Sequence, residues 1–386
     1  MEKEIDLATA RLPGDTLHHL LAQWRRESAV HTLTFFGMPA YALLSYDAVK
    51  TALQDKTHFP PETIYQLSIE PAIGRTFLSM PDPEHQHYRQ LSTPAFKLKA
   101  VAGYNQAWLE GICHELIDAL QPGDNLIEKF IYPYPLIIIS RMLGLPLENE
   151  KQFQRWATGL LGFRGNPARA LQCGEELKNF IQPLIRQARV KQQDNVLSAL
   201  VHSEIEGKHL TDEEIVSHIR LLLPTGAETT FQALGNLLYG LHKNLLWQQL
   251  VEYPALQTVA IEEGLRWESP LPLMPRMTGA ADFDFFGKTL KANCPVFFGI
   301  ASAHRDENHF IDGDLFLLNR STETSSLLTF GPGFKTCPGM HLARKELAIA
   351  LKVLCERTPD LVLDTDCPPE GCILRGPARL AIRAGL

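Results

Sequence analysis

From residue 47 to residue 270 the sequence keeps a helical period, and its interruptions are short: YPYP at 132–135, GLP at 144–146 and RGNP at 164–167. Apolar residues at three- and four-residue spacing form one stripe per helix, and successive helices bury those stripes against one another. Such a chain becomes a mainly helical body with little room for sheet. VHTLTFFGMPAYALLSY at 30–46 sets β-branched and aromatic residues around a Gly-Met-Pro break and predicts a hairpin. Past residue 270 come PLPLMPRM and FDFFGKTLKANCPVFFGI, with period-2 character, then a helix expected over 338–357. ILRGPARLAIRAG near the C-terminus reads as short strands. The fold class is therefore mainly α with minor β. A small β-rich part (about 30–46, 275–300 and 373–383) lies beside a helical part (about 47–270 and 338–357). No repeat or low-complexity linker divides the chain, so residues 1–386 are expected to form a single domain.

Several function classes fall away on composition. With 37 basic and 44 acidic residues the net charge is −7, which removes the electrostatic case for nucleic-acid binding. The longest aliphatic run, LIII at 136–139, ends at Ser140 and Arg141, far short of the roughly 20 apolar residues of a bilayer span. MEKEIDLATARLPGD has no apolar signal-peptide core, so a soluble, cytoplasmic protein is expected. The seven cysteines (113, 173, 294, 337, 355, 367, 372) form no CxxC pair and no Cys/His cluster, so free thiols are the default.

One cysteine stands apart. Residues 330–346 read FGPGFKTCPGMHLARKE, with an amphipathic helix beginning just after Cys337. A thiolate suits a soft or borderline metal, and its pKa falls where the free N–H groups of a helix N-terminus point at it. Gly331, Pro332 and Gly333 make a tight loop whose backbone can approach a flat ligand closely, and Gly339 lets the chain enter the helix without a side chain in the way. Phe330 can pack against the same ligand. Taken alone, the stretch also suits a small buried cysteine in a turn. A phosphate loop is a rival, although the third glycine of GxGxxG is missing. So is a nucleophile, although no His–acid arrangement stands nearby.

FGPGFKTCPG fits F-x-x-G-x-x-x-C-x-G and resembles the haem-thiolate signature of the cytochrome P450 monooxygenases, with Phe330, Gly333, Cys337 and Gly339 in place. Further elements follow in the order of that family. EGLR at 263–266 supplies E-x-x-R, a spacing that puts Glu263 and Arg266 on one helix face. The resemblance implies a buried pair joined by Arg320, with Leu317 where many relatives carry aspartate. LLLPTGAETT at 221–230 resembles the family's A/G-G-x-D/E-T-T stretch in a long central helix. By that match Gly226 leaves room over the haem, and Glu228 and Thr229 are the acid–alcohol pair that delivers protons. Thr225 departs from the usual Ala or Gly, and Pro224 predicts a kink in a helix interior. HQHYR at 85–89 resembles the H-x-x-x-R whose side chains hold the haem propionates, His85 and Arg89 here. Charge-assisted hydrogen bonds explain those residue types. Arg276 matches a further propionate-binding arginine. Lys335 stands where His or Arg is usual, keeping the charge without the planar geometry.

The resemblance spans essentially the whole chain and implies a soluble bacterial-type haem-thiolate monooxygenase, with a haem buried between the central helix and the cysteine loop. Cys337 would be the iron ligand of one haem b per chain. O2 would be the co-substrate, with one atom inserted into an apolar small molecule by hydroxylation or epoxidation. The chain is too short to hold flavin domains as well. Electrons are expected from an external ferredoxin and an NAD(P)H-linked ferredoxin reductase, with the protein a monomer. Lys335, Arg344 and Lys345 are candidates for a docking face for such a partner, and Arg344 and Lys345 read equally as residues that solubilise a helix. A peroxide-dependent peroxygenase is the alternative that the Glu228–Thr229 pair argues against; a non-catalytic haem sensor would have no use for that pair. By position, the substrate walls are expected from 62–80, 222–226, 270–274 and ILRGP at 373–377, with Tyr65, Phe77 and Met274 as the larger groups. Arg75 and Arg375 read as surface or propionate-facing residues, or as partners of a substrate carboxylate.

Overall fold

A computed structural model describes residues 5–386 except 164, 206 and 321–326. The expected hairpin forms from Val30–Phe35 and Met38–Leu43, in register from Val30 opposite Leu43 to Phe35 opposite Met38. Its two turn residues, Phe36 and Gly37, both have positive φ (51° and 71°), the twist that joins adjacent antiparallel strands most directly. Met38–Leu43 then pairs in parallel with Pro295–Gly299, whose other edge takes Leu273–Met277 antiparallel. The stretches 30–43 and 273–299, far apart in the sequence, thus meet in one four-stranded sheet. Phe283–Phe285 and Lys288–Leu290 form a separate small hairpin.

Helices occupy most of the interval between. The punctuating prolines begin them rather than break them. Pro133 and Pro167 occupy the first helical position of Pro133–Leu143 and Pro167–Val190, where a missing N–H costs nothing. Gly144 closes the first of these in the left-handed conformation, and Asn166 caps the second by accepting from the Arg169 amide. The first residue of RGNP, Arg164, lies outside the described residues.

The longest helix, Asp212–Lys243, runs through the body of the protein, buried over most of its circumference. It starts at a capping box in which Thr211 and Glu214 satisfy each other's backbone amides. Three acidic residues in its first turn and His242 and Lys243 in its last complement the helix dipole. The helix continues through Pro224 without a break. Pro133–Leu143, Glu150–Leu161, Pro167–Val190, Gln257–Trp267 and Met340–Arg357 pack around it. Its side chains and theirs make the largest apolar core, and two smaller cores cover the sheet.

The strands expected over 373–383 are largely absent. Only Ile382–Ala384 pairs, with Val362–Leu363, while the rest makes single bridges at Gly376 and Ala381. Side chains hold that stretch instead, Arg375 above all. Among the described residues, no helix is long and apolar enough to cross a membrane.

Candidate active site

The cysteine loop is closed by its own backbone. The Cys337 amide donates to the Phe330 carbonyl at 2.9 Å, and the Thr336 hydroxyl donates to the Gly333 carbonyl at 2.7 Å. Gly331 and Gly333 carry φ of 60° and 134°, conformations that glycine adopts without strain. The helix Met340–Arg357 starts directly afterwards, with Gly339 at its cap. The amides of Gly339 and Met340 hydrogen-bond the Cys337 sulfur. Burial pushes the Cys337 thiol pKa up, while those amides, Arg89 and Arg344 pull against the shift. Cys337 is nevertheless exposed. A thiol both desolvated and accessible faces an internal space.

Beside the loop lies a group of basic side chains with incomplete partners. Arg89 donates through Nη2 to the Thr336 carbonyl, whereas its Nη1 is buried with no hydrogen-bond partner. His85, 3% exposed, approaches Asp82 through Nδ1 at 3.3 Å, and its Nε2 is likewise buried and unpartnered. Burial, with Lys335 and Arg89 close by, brings the His85 pKa down to about 4. Arg276 donates to the Tyr65 hydroxyl at 3.1 Å and stacks over the Tyr65 and Phe298 rings. Unsatisfied buried polar groups are rare in folded proteins, so the free Arg89 N–H and the unpartnered His85 ring nitrogen point to a polar ligand. An accessible thiol and cationic donors fit a haem, whose iron takes a thiolate and whose edge carries two carboxylates.

On the central helix, Thr225, Gly226 and Thr229 are partly exposed, while residues 221–224, 227, 228 and 230 are buried. The Thr229 hydroxyl donates to the Thr225 carbonyl at 3.3 Å, and the Thr225 hydroxyl to the Leu221 carbonyl at 2.7 Å. Glu228 is buried, its Oε2 has no partner, and desolvation raises its pKa to about 7.

Beneath the loop, Glu263 and Arg266 are both fully buried and joined by two 2.8 Å hydrogen bonds. Arg266 also donates to the carbonyls of His304, Gly313 and Leu315. Arg320 lies 3.2 Å from the Glu263 carboxylate. Leu317 still serves the network: its backbone N–H donates to Glu263 at 2.9 Å, so the meander is held by main chain at that position.

Residues 240–357 match the family model described as Cytochrome P450. The polyketide biosynthesis cytochrome P450 PksS of Bacillus subtilis (strain 168) is 32% identical over 373 residues, covering 91% of each chain. The chain belongs to the cytochrome P450 family. The P450 monooxygenase PikC of Streptomyces venezuelae is 30% identical over 89% of this chain and 84% of its own. The solved structure of PksS superposes with a TM-score of 0.85, covering 94% of this chain and 95% of that one. A mutant P450 EryK in complex with erythromycin B superposes at 0.84 and 25% identity, covering 96% of each. This P450 is thus a haem-binding monooxygenase with the family's fold.

Several of the expected site residues have partners of their own. A Cβ built on Gly226 would lie 2.8 Å from Ile139 Cγ1, so the missing side chain makes room for the helix Pro133–Leu143. Lys335 donates to the carbonyls of Phe77, Leu78 and Met80 at 2.9–3.0 Å, which occupies all three of its N–H groups. Arg344 is bound bidentately to Glu262, and Lys345 donates to the carbonyls of Val101 and Tyr104. Among the described residues, only Arg344 of these three cations is paired with a carboxylate. Arg375 is fully buried on Glu268 at 2.8 Å, far from surface behaviour, while Arg75 pairs with Glu84 at the surface.

Some positioning contacts had no sequence signal beyond their residue types. Arg344 lies over the Phe330 ring, 4.6 Å from its centroid, and thereby ties the cysteine loop to the helix Gln257–Trp267. His304 accepts the Leu328 amide through Nε2 at 2.8 Å, fixing the chain as it enters the loop. His18 joins Glu268 at 2.9 Å, linking the first helix, Asp15–Glu27, to Arg375.

Proposed function

We propose that this monooxygenase binds one haem b per chain through Cys337, with His85, Arg89 and Arg276 at the propionate edge. The observation that carries this reading is an accessible thiol receiving two helix N-terminal amides, beside a buried Arg89 donor and a buried His85 ring nitrogen that both lack partners. Phe330 and Gly339 complete the loop: Phe330 packs against the apolar core, and the Gly339 position leaves 3.8 Å between a built Cβ and the sulfur. Bound haem supplies O2 activation, one atom going to the substrate and one to water. The amides of Gly339 and Met340 hold negative charge on the sulfur. Glu228 holds a proton near neutral pH, the condition for an efficient general acid, and Thr229 presents a hydroxyl one residue further on the same helix. That pair favours O2 with reductant over peroxide. Electrons come from an external ferredoxin and its reductase.

The substrate class follows from residue types. The segments 222–226 and 270–274 are mostly apolar, and 62–80 adds Ile64, Leu67, Ile69, Ile73, Phe77 and Leu78, which suits a hydrophobic small molecule. PksS carries polyketide biosynthesis in its name, and EryK was solved with erythromycin B. A polyketide-type compound is therefore the first class to test, by the spin-state shift of the ferric protein on titration.

The absorption spectrum of the reduced protein with CO tests the central assignment. A strongly red-shifted Soret band is expected, and Cys337→His should abolish it while leaving a haem-binding protein. A shift that survives this change overturns the assignment of Cys337.

A further inference from the structure

The helix Glu84–Ser92 carries both His85 and Arg89, with the unpartnered His85 Nε2 and Arg89 Nη1. Its side chains reach two different walls of the site. Arg89 donates to the carbonyl of Thr336, the residue before Cys337. Tyr88 donates its hydroxyl to the Glu214 carboxylate, in the first turn of Asp212–Lys243. Consecutive residues on a helix point about 100° apart, so neighbours in sequence can serve two separate partners. The acceptor is itself fixed. Glu214 Oε2 takes the amide and the hydroxyl of Thr211, each at 2.7 Å, and Oε1 takes Tyr88. One turn further along the central helix, the His218 ring lies parallel to the Tyr88 ring, with centroids 5.7 Å apart and planes within 9°. His218 is fully buried, and burial lowers its pKa. Its Nδ1 lies 2.7 Å from the Glu214 carbonyl; a carbonyl only accepts, so Nδ1 carries the proton and the ring is held in one rotation. Phe77 stacks on His218 with centroids 6.0 Å apart and meets the His85 ring at 6.4 Å. Tyr88 directly, and His85 through Phe77, therefore rest on one buried ring of the central helix.

We propose that Tyr88, held by Glu214 and His218, positions His85 and Arg89 at the propionate edge of the haem. The inference rests on the reading of those two side chains as propionate ligands. Glu84–Ser92 is a nine-residue helix, and a roll about its own axis would swing His85 and Arg89 together. Hydrogen bonds tolerate little of that, since they weaken steeply once the angle at the hydrogen falls below about 120°. Tyr88 fixes the roll twice over: its hydroxyl sets the distance to Glu214, and its ring sets the tilt against His218. Burial, the hydrogen bond to Glu214 and the Glu214 charge raise the Tyr88 pKa to about 12, so the phenol remains a donor throughout the neutral range. Glu214 also closes the capping box, so one carboxylate fixes both the start of the central helix and the lie of the helix that carries His85 and Arg89. Tyr88 acts through those two side chains and is a positioning residue.

The test uses the haem-loaded ferric protein and Tyr88→Phe, which keeps the ring on His218 and removes the hydroxyl. The first readout is transfer of haem to excess apomyoglobin, which needs no turnover. Release should be roughly tenfold faster in Tyr88→Phe, the scale of one hydrogen bond to a charged group. In a protein that already carries His85→Gln and Arg89→Gln, Tyr88→Phe should add nothing, because the groups it positions are gone. The second readout is the propionate bending band of the resonance Raman spectrum, which follows hydrogen bonding at the haem edge and should move in Tyr88→Phe. Parent-like release, an unmoved band, or an equal acceleration in the His85→Gln/Arg89→Gln background overturns the proposal; the last result would make Tyr88 a general support of the fold. If the two Gln changes speed release while Tyr88→Phe behaves like the parent, the propionate reading stands and this inference alone falls. If the two Gln changes leave haem retention as in the parent, the propionate reading fails and this inference falls with it.

Discussion

Gly226→Ala separates two readings of the central helix by the sign of a stability change. A glycine in a helix interior costs about 1 kcal/mol against alanine, so an alanine facing open space would stabilise the protein by about that amount. At Gly226 the added methyl would sit 2.8 Å from Ile139 Cγ1 and 2.9 Å from its Cδ1, well inside van der Waals contact. Ile139 is 1% exposed and belongs to the main core, so it has little freedom to retreat. Overpacking of this kind costs about 1–3 kcal/mol, which cancels or reverses the helix gain. The net expectation is a loss of about 0–2 kcal/mol. Ile139→Ala alone should cost about 2–5 kcal/mol as a cavity. The double variant should lose less than the two single losses together, with a coupling energy of about 1–3 kcal/mol. Urea unfolding of the four proteins, followed by far-UV circular dichroism at constant slope, measures these terms. A Gly226→Ala protein stabilised by about 1 kcal/mol, with effects that add to those of Ile139→Ala, would show that the methyl faces empty space. The same outcome together with weakened haem binding would restore the haem-facing reading.

Glu263→Gln removes the one acid shared by Arg266 and Arg320 and leaves two cations without it; a loss of about 3–5 kcal/mol, read in the same urea assay, is expected. Arg375→Met should cost a similar amount, because Glu268 would keep only His18 as its direct partner in a fully buried site. Glu228 makes folding pH-dependent with a defined sign. The unfolded carboxyl ionises near 4.5 and the folded one near 7, so between these values the folded state binds more protons. Stability from this group therefore falls as pH rises from 4.5 to 7, by on the order of 3 kcal/mol, and Glu228→Gln should flatten that part of the profile. His18 titrates the other way. Its pKa is lowered to about 4, so its contribution is present above 6.5 and is lost on acidification, a loss that His18→Gln should diminish.

Periodicity carried the reading of the helices because a helix buries a stripe whose spacing is local. The hairpin at 30–43 was legible for the same reason, since its two strands are neighbours in the chain. The parallel pairing of Tyr41–Leu43 with Val296–Phe298 was not, because nothing within either strand records which distant edge it will meet. The strands expected over 373–383 failed for a related reason. ILRGPARLAIRAG has strand composition, yet Arg375 donates to the carbonyls of Leu12 and Gly14 and pairs with Glu268, and those contacts replace a ladder.

The site divides along the same line. Glu263 with Arg266, and the Phe330–Gly339 loop, are short-range patterns, and their residue types and spacing already state their chemistry. Lys335 shows the opposite case: a cation two residues before the cysteine reads as a ligand for carboxylates, but its ammonium lies among the carbonyls of Phe77, Leu78 and Met80. Gly226 is similar, since a glycine announces a close approach without saying which neighbour approaches, and here it is Ile139.

By itself the sequence determined the helical class, the thiolate loop and the order of the motifs, all of which depend on residues within a turn or two of one another. Tertiary structure alone decided which cations find partners and which neighbour a glycine clears. Burial and donor satisfaction are properties of converging segments, and convergence is set by the packing of the whole core.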